Sequence, residues 1–168
     1  HGLEWAVEDG RVGTPETLEG YIRAVLVHGT GRLDADILTR AWRAVEARDA
    51  AALAEILETA LALRGTGEQA LETNAQGRAF WDIVGRLDDL NTRLAWAEGA
   101  LPARGTLVPH PWAVGTAGAA LDVPLPALLN AYLHGIAANL VSAGVRLIPL
   151  GQTAGQQVLT RLTPVAED

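Results

Sequence analysis

From Val123 to Val145 the chain carries no aspartate, glutamate, lysine or arginine. A helical stretch of that length either crosses a bilayer or is covered by protein. Two prolines, Pro124 and Pro126, open it, and Asn130, His134, Asn139 and Ser142 point in several directions around a helix. Polar groups on so many sides are costly in hydrocarbon. The stretch therefore reads as a helix over Pro124–Val145, buried in the middle of a soluble bundle, with no membrane as partner.

The rest of the chain repeats its apolar residues at helical spacing. Gly10 to Gly13 breaks an opening helical stretch. Thr14-Pro15-Glu16 then supplies a capping hydroxyl, a first-turn proline and a carboxylate near the positive helix end. Leu18, Ile22, Val25 and Leu26 follow on one face, and Gly29-Thr30-Gly31 ends the run. Asp34 begins the next helix, with Ile37, Leu38, Ala41, Trp42 and Val45 inward, and Asp49 caps a third bearing Leu53, Ile56, Leu57 and Leu61. From Glu68 the spacing resumes and continues through Phe80, Ile83, Val84, Leu87, Leu90 and Leu94. Gly99 to Pro111 is a glycine- and proline-rich connection. A short alanine-rich helix is predicted from about Trp112 to Leu121 and a last one over Thr153–Leu162. No strand, fixed-period repeat or low-complexity linker is evident. The expectation is an all-α fold: a compact helical bundle of about seven to nine helices around a central apolar helix, in one domain over 1–168.

Several chemistries are excluded by what is missing. With no cysteine there is no disulfide framework, thiolate metal site or cysteine nucleophile. With no lysine there is no phosphate-loop lysine and no Schiff base. The net charge is −7 and the thirteen basic residues are scattered arginines, so no concentrated basic surface invites nucleic acid. No signal or transit segment is present, which makes a cytoplasmic location the expectation.

The remaining motifs are each open to a plain structural reading. Gly65-x-Gly67-x-x-Ala70 has the loose form of a dinucleotide fingerprint but follows a helix instead of a strand, so it reads as a helix-breaking loop. Ser142, the single serine, lies within a helix and not on a nucleophile elbow, and a hydroxyl bonded to its own backbone is the ordinary expectation. His1, His28, His110 and His134 show no metal-ligand spacing. Glu4 and Glu8 share one helix face, as a solvated acidic face or as a partner-facing patch. Arg146 ends the uncharged helix beside Leu147-Ile148-Pro149-Leu150-Gly151-Gln152. It is either a C-terminal cap or an arginine presented to clamp a carboxylate or phosphate.

Tyr132-Leu133-His134-Gly135, Asn139-Leu140-Val141-Ser142-Ala143, Val145-Arg146-Leu147, Pro149-Leu150-Gly151-Gln152 and Gln156 together resemble the C-terminal signature of the UreF family of urease accessory proteins. The opening His1-Gly2-Leu3-Glu4-Trp5-Ala6-Val7-Glu8 and the His110-Pro111 segment with Gly115 are similar to family blocks in the same order. The resemblance spans nearly the whole chain around a variable middle. It lacks the Pro-Gly and Ser/Tyr-rich segment before the first block and the tail after the last helix, so the sequence reads as truncated at both ends.

The resemblance implies an all-α homodimer without enzymatic activity or cofactor. Such a protein binds the accessory protein UreD (UreH in some organisms), recruits the GTPase UreG, and assists GTP-dependent nickel entry into apo-urease. A GTPase-activating role for UreG through a donated arginine is the alternative, and a nickel-binding carrier a further one. The partner-facing residues it points to are His1, Glu4, Glu8, Tyr132, His134, Asn139, Ser142, Arg146, Pro149, Gly151, Gln152 and Gln156, with no catalytic or metal residue among them.

Overall fold

A computed structural model of the chain describes residues 2–63 and 66–167, so the calls on His1 and Gly65 lie outside the described residues. Among the described residues there are nine α-helices, one 3-10 segment and no strand. The helices are α1 (Leu3–Glu8), α2 (Pro15–His28), α3 (Thr30–Glu46), α4 (Ala50–Ala62), α5 (Gly67–Val84), α6 (Asp88–Leu94), α7 (His110–Ala120), α8 (Leu125–Leu147) and α9 (Gln152–Glu167). The 3-10 segment is Ala95–Ala100. The expected all-α class is what the chain forms.

The start signals act as their chemistry dictates. Thr14 accepts the Thr17 amide at 3.3 Å, Thr17 answers the Thr14 amide, and Pro15 occupies the first turn of α2. Asp49 accepts the Ala52 amide at 2.9 Å to open α4, and Thr66 does the same for Gln69 at the start of α5. Two boundaries differ from the periodicity reading. The first run ends at Gly29, within the expected Gly29-Thr30-Gly31 break, but α3 begins directly after it at Thr30, and Asp34 is a buried interior residue and not its start. Gly31 makes this turn possible, since a Cβ there would lie 2.7 Å from the Leu26 Cα. The run from Glu68 to Leu94 is divided, because α5 stops at Val84 and the chain restarts as α6. Ile83 and Leu87, expected inward, are exposed.

The chain forms two compact units, His1–Leu33 with Leu129–Asp168, and Asp34–Leu128. In the first, Leu3, Leu18, Ile22, Val158 and Leu162 form a core with Ala137, Leu140, Val141 and Ile148 of α8 and its following turn. Small residues set the approach of the helices. A Cβ at Gly144 would meet the Leu18 side chain at 2.6 Å, and one at Gly155 would meet Val145 at 2.6 Å. Arg161 of α9 donates to Glu19 of α2 at 2.6 Å, and Arg23 donates to the other oxygen at 3.1 Å. Those guanidiniums, Arg161 first, hold the Glu19 carboxyl below its ordinary range.

In the second unit, α7 is the helix buried nearly all round, with Pro111, Trp112, Ala113 and Gly115 through Ala120 inside. Its composition explains why. Alanines and glycines present little bulk, so neighbouring backbones close in on every side. A Cβ on Gly115 would collide with the Leu38 carbonyl, and one on Gly77 of α5 with the Val108 carbonyl just ahead of α7. Trp112 fills the remaining space. Its indole N–H donates to the Leu53 carbonyl at 3.1 Å and its ring tilts against Trp81 at 5.3 Å. Trp42 likewise donates to the Val123 carbonyl at 2.9 Å.

Candidate functional site

The segment expected to run buried through the bundle is α8, and its placement corrects that expectation. Within its most apolar 18-residue window only 22% is buried, and Ala137, Leu140, Val141 and Gly144 are its fully buried residues. These four define one stripe, while absence of charge had been taken to mean burial all round. Of the polar residues, Asn130 is half-buried on the side of that stripe, and His134, Asn139 and Ser142 are exposed on the other. Ala131, His134, Gly135, Asn139, Ser142 and Arg146 are all exposed, and at 3.6 residues per turn they share an arc of about 140°. The helix has the length and hydropathy of a membrane span. Most of what it exposes is small or polar, and Leu147 at its end is exposed as well.

Tyr132 is half-buried at the edge of this face, whereas His134, Asn139, Ser142 and Arg146 stand in solvent. The Ser142 hydroxyl does not serve its own helix backbone: it accepts from Arg146 Nη1 at 3.0 Å, one turn on. That bond fixes the guanidinium along the outer surface of α8, in the last turn where the helix dipole favours a cation. The chain then turns. Ile148 is buried and its amide bonds the Gly144 carbonyl at 2.8 Å, which pins the turn to the core. Pro149 and Gly151 remain exposed, and α9 starts at Gln152. Gln152 and Gln156, four apart, present side chains on one exposed side of its first turns. Eight of the sequence-derived positions thus lie on the outer face of α8 and the turn into α9.

Glu4 and Glu8 form a separate exposed pair on α1. Between them stands Trp5, 57% exposed, with the Arg11 guanidinium 4.7 Å from its ring centroid and Arg11 also bonded to Asp9 at 2.6 Å. Sequence reasoning passed over Trp5, because a tryptophan near Leu3 and Ala6 looks like core. Only the burial of Leu3 and Ala6 on the other side of the short helix shows that it cannot be. The Tyr21 hydroxyl is pushed above its ordinary pKa by burial first and by the charge of Glu4 second.

His110 opens α7 half-buried, its amide donating to Thr73 Oγ1 at 3.3 Å and its ring edge-on to Phe80 at 5.9 Å. Burial depresses its pKa below 6.5, with the Asp34 charge opposing in part. The unfolded chain therefore takes up the proton first. Stability from this group is complete above about 6.5 and is lost as pH falls from there through the lower folded value. Thermal midpoints should decline in that window, before carboxylates titrate, and His110→Gln should flatten the decline. An unchanged slope in the variant would refute the assignment.

Among the described residues no three histidine, aspartate or glutamate side chains are grouped to hold a metal ion. A shallow groove of about 260 Å³ lies between Arg40 and Arg43 of α3 and Asp49 and Glu55 at the start of α4. Its charges are mixed and its floor is alanine and Ile56. The outer surface of α8 with the following turn thus exposes hydrogen-bonding groups and one guanidinium.

A sequence-family model described as UreF matches residues 12–163. The urease accessory protein UreF of Rhodopseudomonas palustris strain HaA2 is 45% identical over 97% of this chain and 67% of its own length. That of Granulibacter bethesdensis is 45% identical over 96% of this chain and 67% of its own. That of Azorhizobium caulinodans is 42% identical over 99% and 70%. The chain spans about two thirds of the length of these relatives.

Proposed function

We propose that this chain, which belongs to the UreF family of urease accessory proteins, is a non-catalytic cytoplasmic scaffold in urease maturation. In this reading it pairs with a second copy, binds UreD (UreH), and through that complex engages the GTPase UreG while nickel, as cargo, enters apo-urease. The observation that carries it is that Arg146, Pro149, Gly151, Gln152 and Gln156 are all exposed along the short stretch that ends α8, turns and opens α9. An arginine fixed on a rigid helix next to glutamine amides and a bare turn can pair with a partner carboxylate in two-pronged fashion. The small residues Ala131 and Gly135 suit close approach of a second α8. A nickel carrier is the less favoured reading, since among the described residues no histidines and carboxylates are grouped as ligands.

A second reading makes the chain an activator that donates Arg146 to the nucleotide site of UreG. The exposure of Arg146, held only by a neutral hydroxyl on its own helix, favours considering it. The two readings differ in size of effect, since an arginine finger accelerates hydrolysis by about 10³–10⁵-fold.

Arg146→Ala tests both. The fold should persist, because the side chain is exposed and its bond to Ser142 is a surface bond. Capture of UreD and UreG should weaken about tenfold or more, in line with the loss of a charge-assisted pair. Single-turnover GTP hydrolysis by UreG should change only severalfold on addition of the unaltered protein. Undiminished capture by the variant would remove Arg146 from the interface, and a thousandfold stimulation lost with it would replace the scaffold by the activator.

A further inference from the structure

The exposed side of α5 carries an ordered apolar row. Leu71, Ala75, Ala79 and Ile83 recur every four residues, all outward, with Leu71 74% and Ile83 67% exposed. Single exposed leucines are ordinary, but this row has an internal symmetry: large residues at its ends and alanines in its middle, centred on Gly77. Gly77 itself lies on the opposite side of α5 beneath the Val108 carbonyl, and Trp81 is buried there too. The helix is therefore anchored by one side and its row faces outward.

We propose that this row is a contact surface for a second copy of the chain, two α5 helices crossing in opposite directions at the level of Gly77. Rows at four-residue spacing interdigitate when helices cross at about −50°. A two-fold contact requires a patch that complements itself. Reversing this row about its centre exchanges Leu71 with Ile83 and Ala75 with Ala79. The alanines allow close backbone approach at the crossing, and Leu71 of one copy comes against Ile83 of the other.

The charges tolerate the same reversal. Exposed Glu68 is brought to the end that bears exposed Arg86 of the second copy, and neither has an ion pair among the described residues. Glu72 is brought toward Asp82, whose charge is already met by Arg78. A cationic amphipathic partner is the other occupant that an apolar row beside two glutamates could take; the reversal symmetry favours the second copy. A single helix crossing buries less than the roughly 1,200 Å² of a stable interface, so the contact is weak and concentration-dependent, and it is separate from the one proposed on α8.

The absence of cysteine from the sequence makes trapping clean. Chains bearing Ala75→Cys and chains bearing Ala79→Cys are mixed and mildly oxidised, alongside a control pair in which one partner carries Ala51→Cys on exposed α4. The 75–79 mixed disulfide should exceed the control severalfold. Adding Leu71→Glu should abolish the excess without lowering the thermal midpoint. The same excess is expected in a Gly135→Arg background, whose α8 face cannot self-pair. No excess over the control, or an excess indifferent to Leu71→Glu, overturns the proposal. Its loss in the Gly135→Arg background would make it a by-product of α8 pairing and overturn it equally. Absence of the cross-link with Leu71-dependent binding of a leucine–lysine amphipathic peptide would give the row to a cationic partner instead.

Discussion

Trp112→Ala should destabilise the chain by about 3–5 kcal/mol, the range for removing a large aromatic from a closed core. The side chain is fully buried at 0% exposure, tilts against Trp81 and donates its indole N–H to the Leu53 carbonyl. Its surroundings cannot collapse into the space. The α7 backbone is already held at contact by Gly115 against Leu38, and α5 by Gly77 against Val108. For a chain of this size the loss corresponds to a fall of roughly 10 °C in the thermal midpoint. Trp112→Phe separates the two contributions. It keeps most of the ring but loses the indole bond to the Leu53 carbonyl, which lies within α4 and retains its helical donor, a cost of about 0.5–1.5 kcal/mol. A midpoint shift of only a degree or two in Trp112→Ala, followed by circular dichroism, would show that the α7 environment repacks freely and is not the rigid centre described above.

That centre marks where sequence reading worked and where it stopped. Helix starts were legible because they depend on local chemistry: Thr14, Pro15 and Asp49 act within three residues of themselves. Which helix is enclosed on all sides was not. Val123–Val145 lacks charge yet α8 buries a single stripe, while α7, a modest alanine-rich stretch, is buried nearly all round within its own unit. Burial of α7 is decided by how closely Gly77 and Gly115 admit other backbones, a property of pairs of segments far apart in sequence. The same limit explains Ile83 and Leu87. Spacing showed that they share a helical period with Phe80 and Leu90, but only the break after Val84 determines which side meets protein.

The candidate site was legible to a different degree. Its residues were found through a family signature, and Arg146 also through its position at the end of an uncharged run. Their arrangement was not found. Asn130, His134, Asn139 and Ser142 do point several ways, and only the buried stripe shows that Asn130 is half-covered while the other three are exposed. The bond from Arg146 to Ser142 spans one helical turn and could have been anticipated from that spacing. Trp5 and the α5 row could not, since exposure of an apolar side chain is settled by what fails to pack on it.

On the proposed pairing through α8, Gly135→Arg should leave a stable monomer. Among the described residues, beyond its own turn of helix, nothing lies within 4 Å of a Cβ at Gly135, so the new side chain extends into solvent. Arginine is also the better helix former, by close to 1 kcal/mol in a helix interior, so the isolated fold should gain stability. In the pair the effect reverses. Two guanidiniums would enter a face that has no carboxylate from Val123 to Val145 to receive them. An uncompensated charge buried in a contact costs about 3–5 kcal/mol, which weakens association by roughly two to three orders of magnitude. Sedimentation of the two proteins at matched concentrations reads this directly. A thermal midpoint that rises while the dimer is lost would locate the pairing on α8 and exclude misfolding as its cause. A dimer that survives unchanged would mean that this face is kept for a different partner, and the uncharged surface of α8 would then have to be matched to UreD or UreG instead.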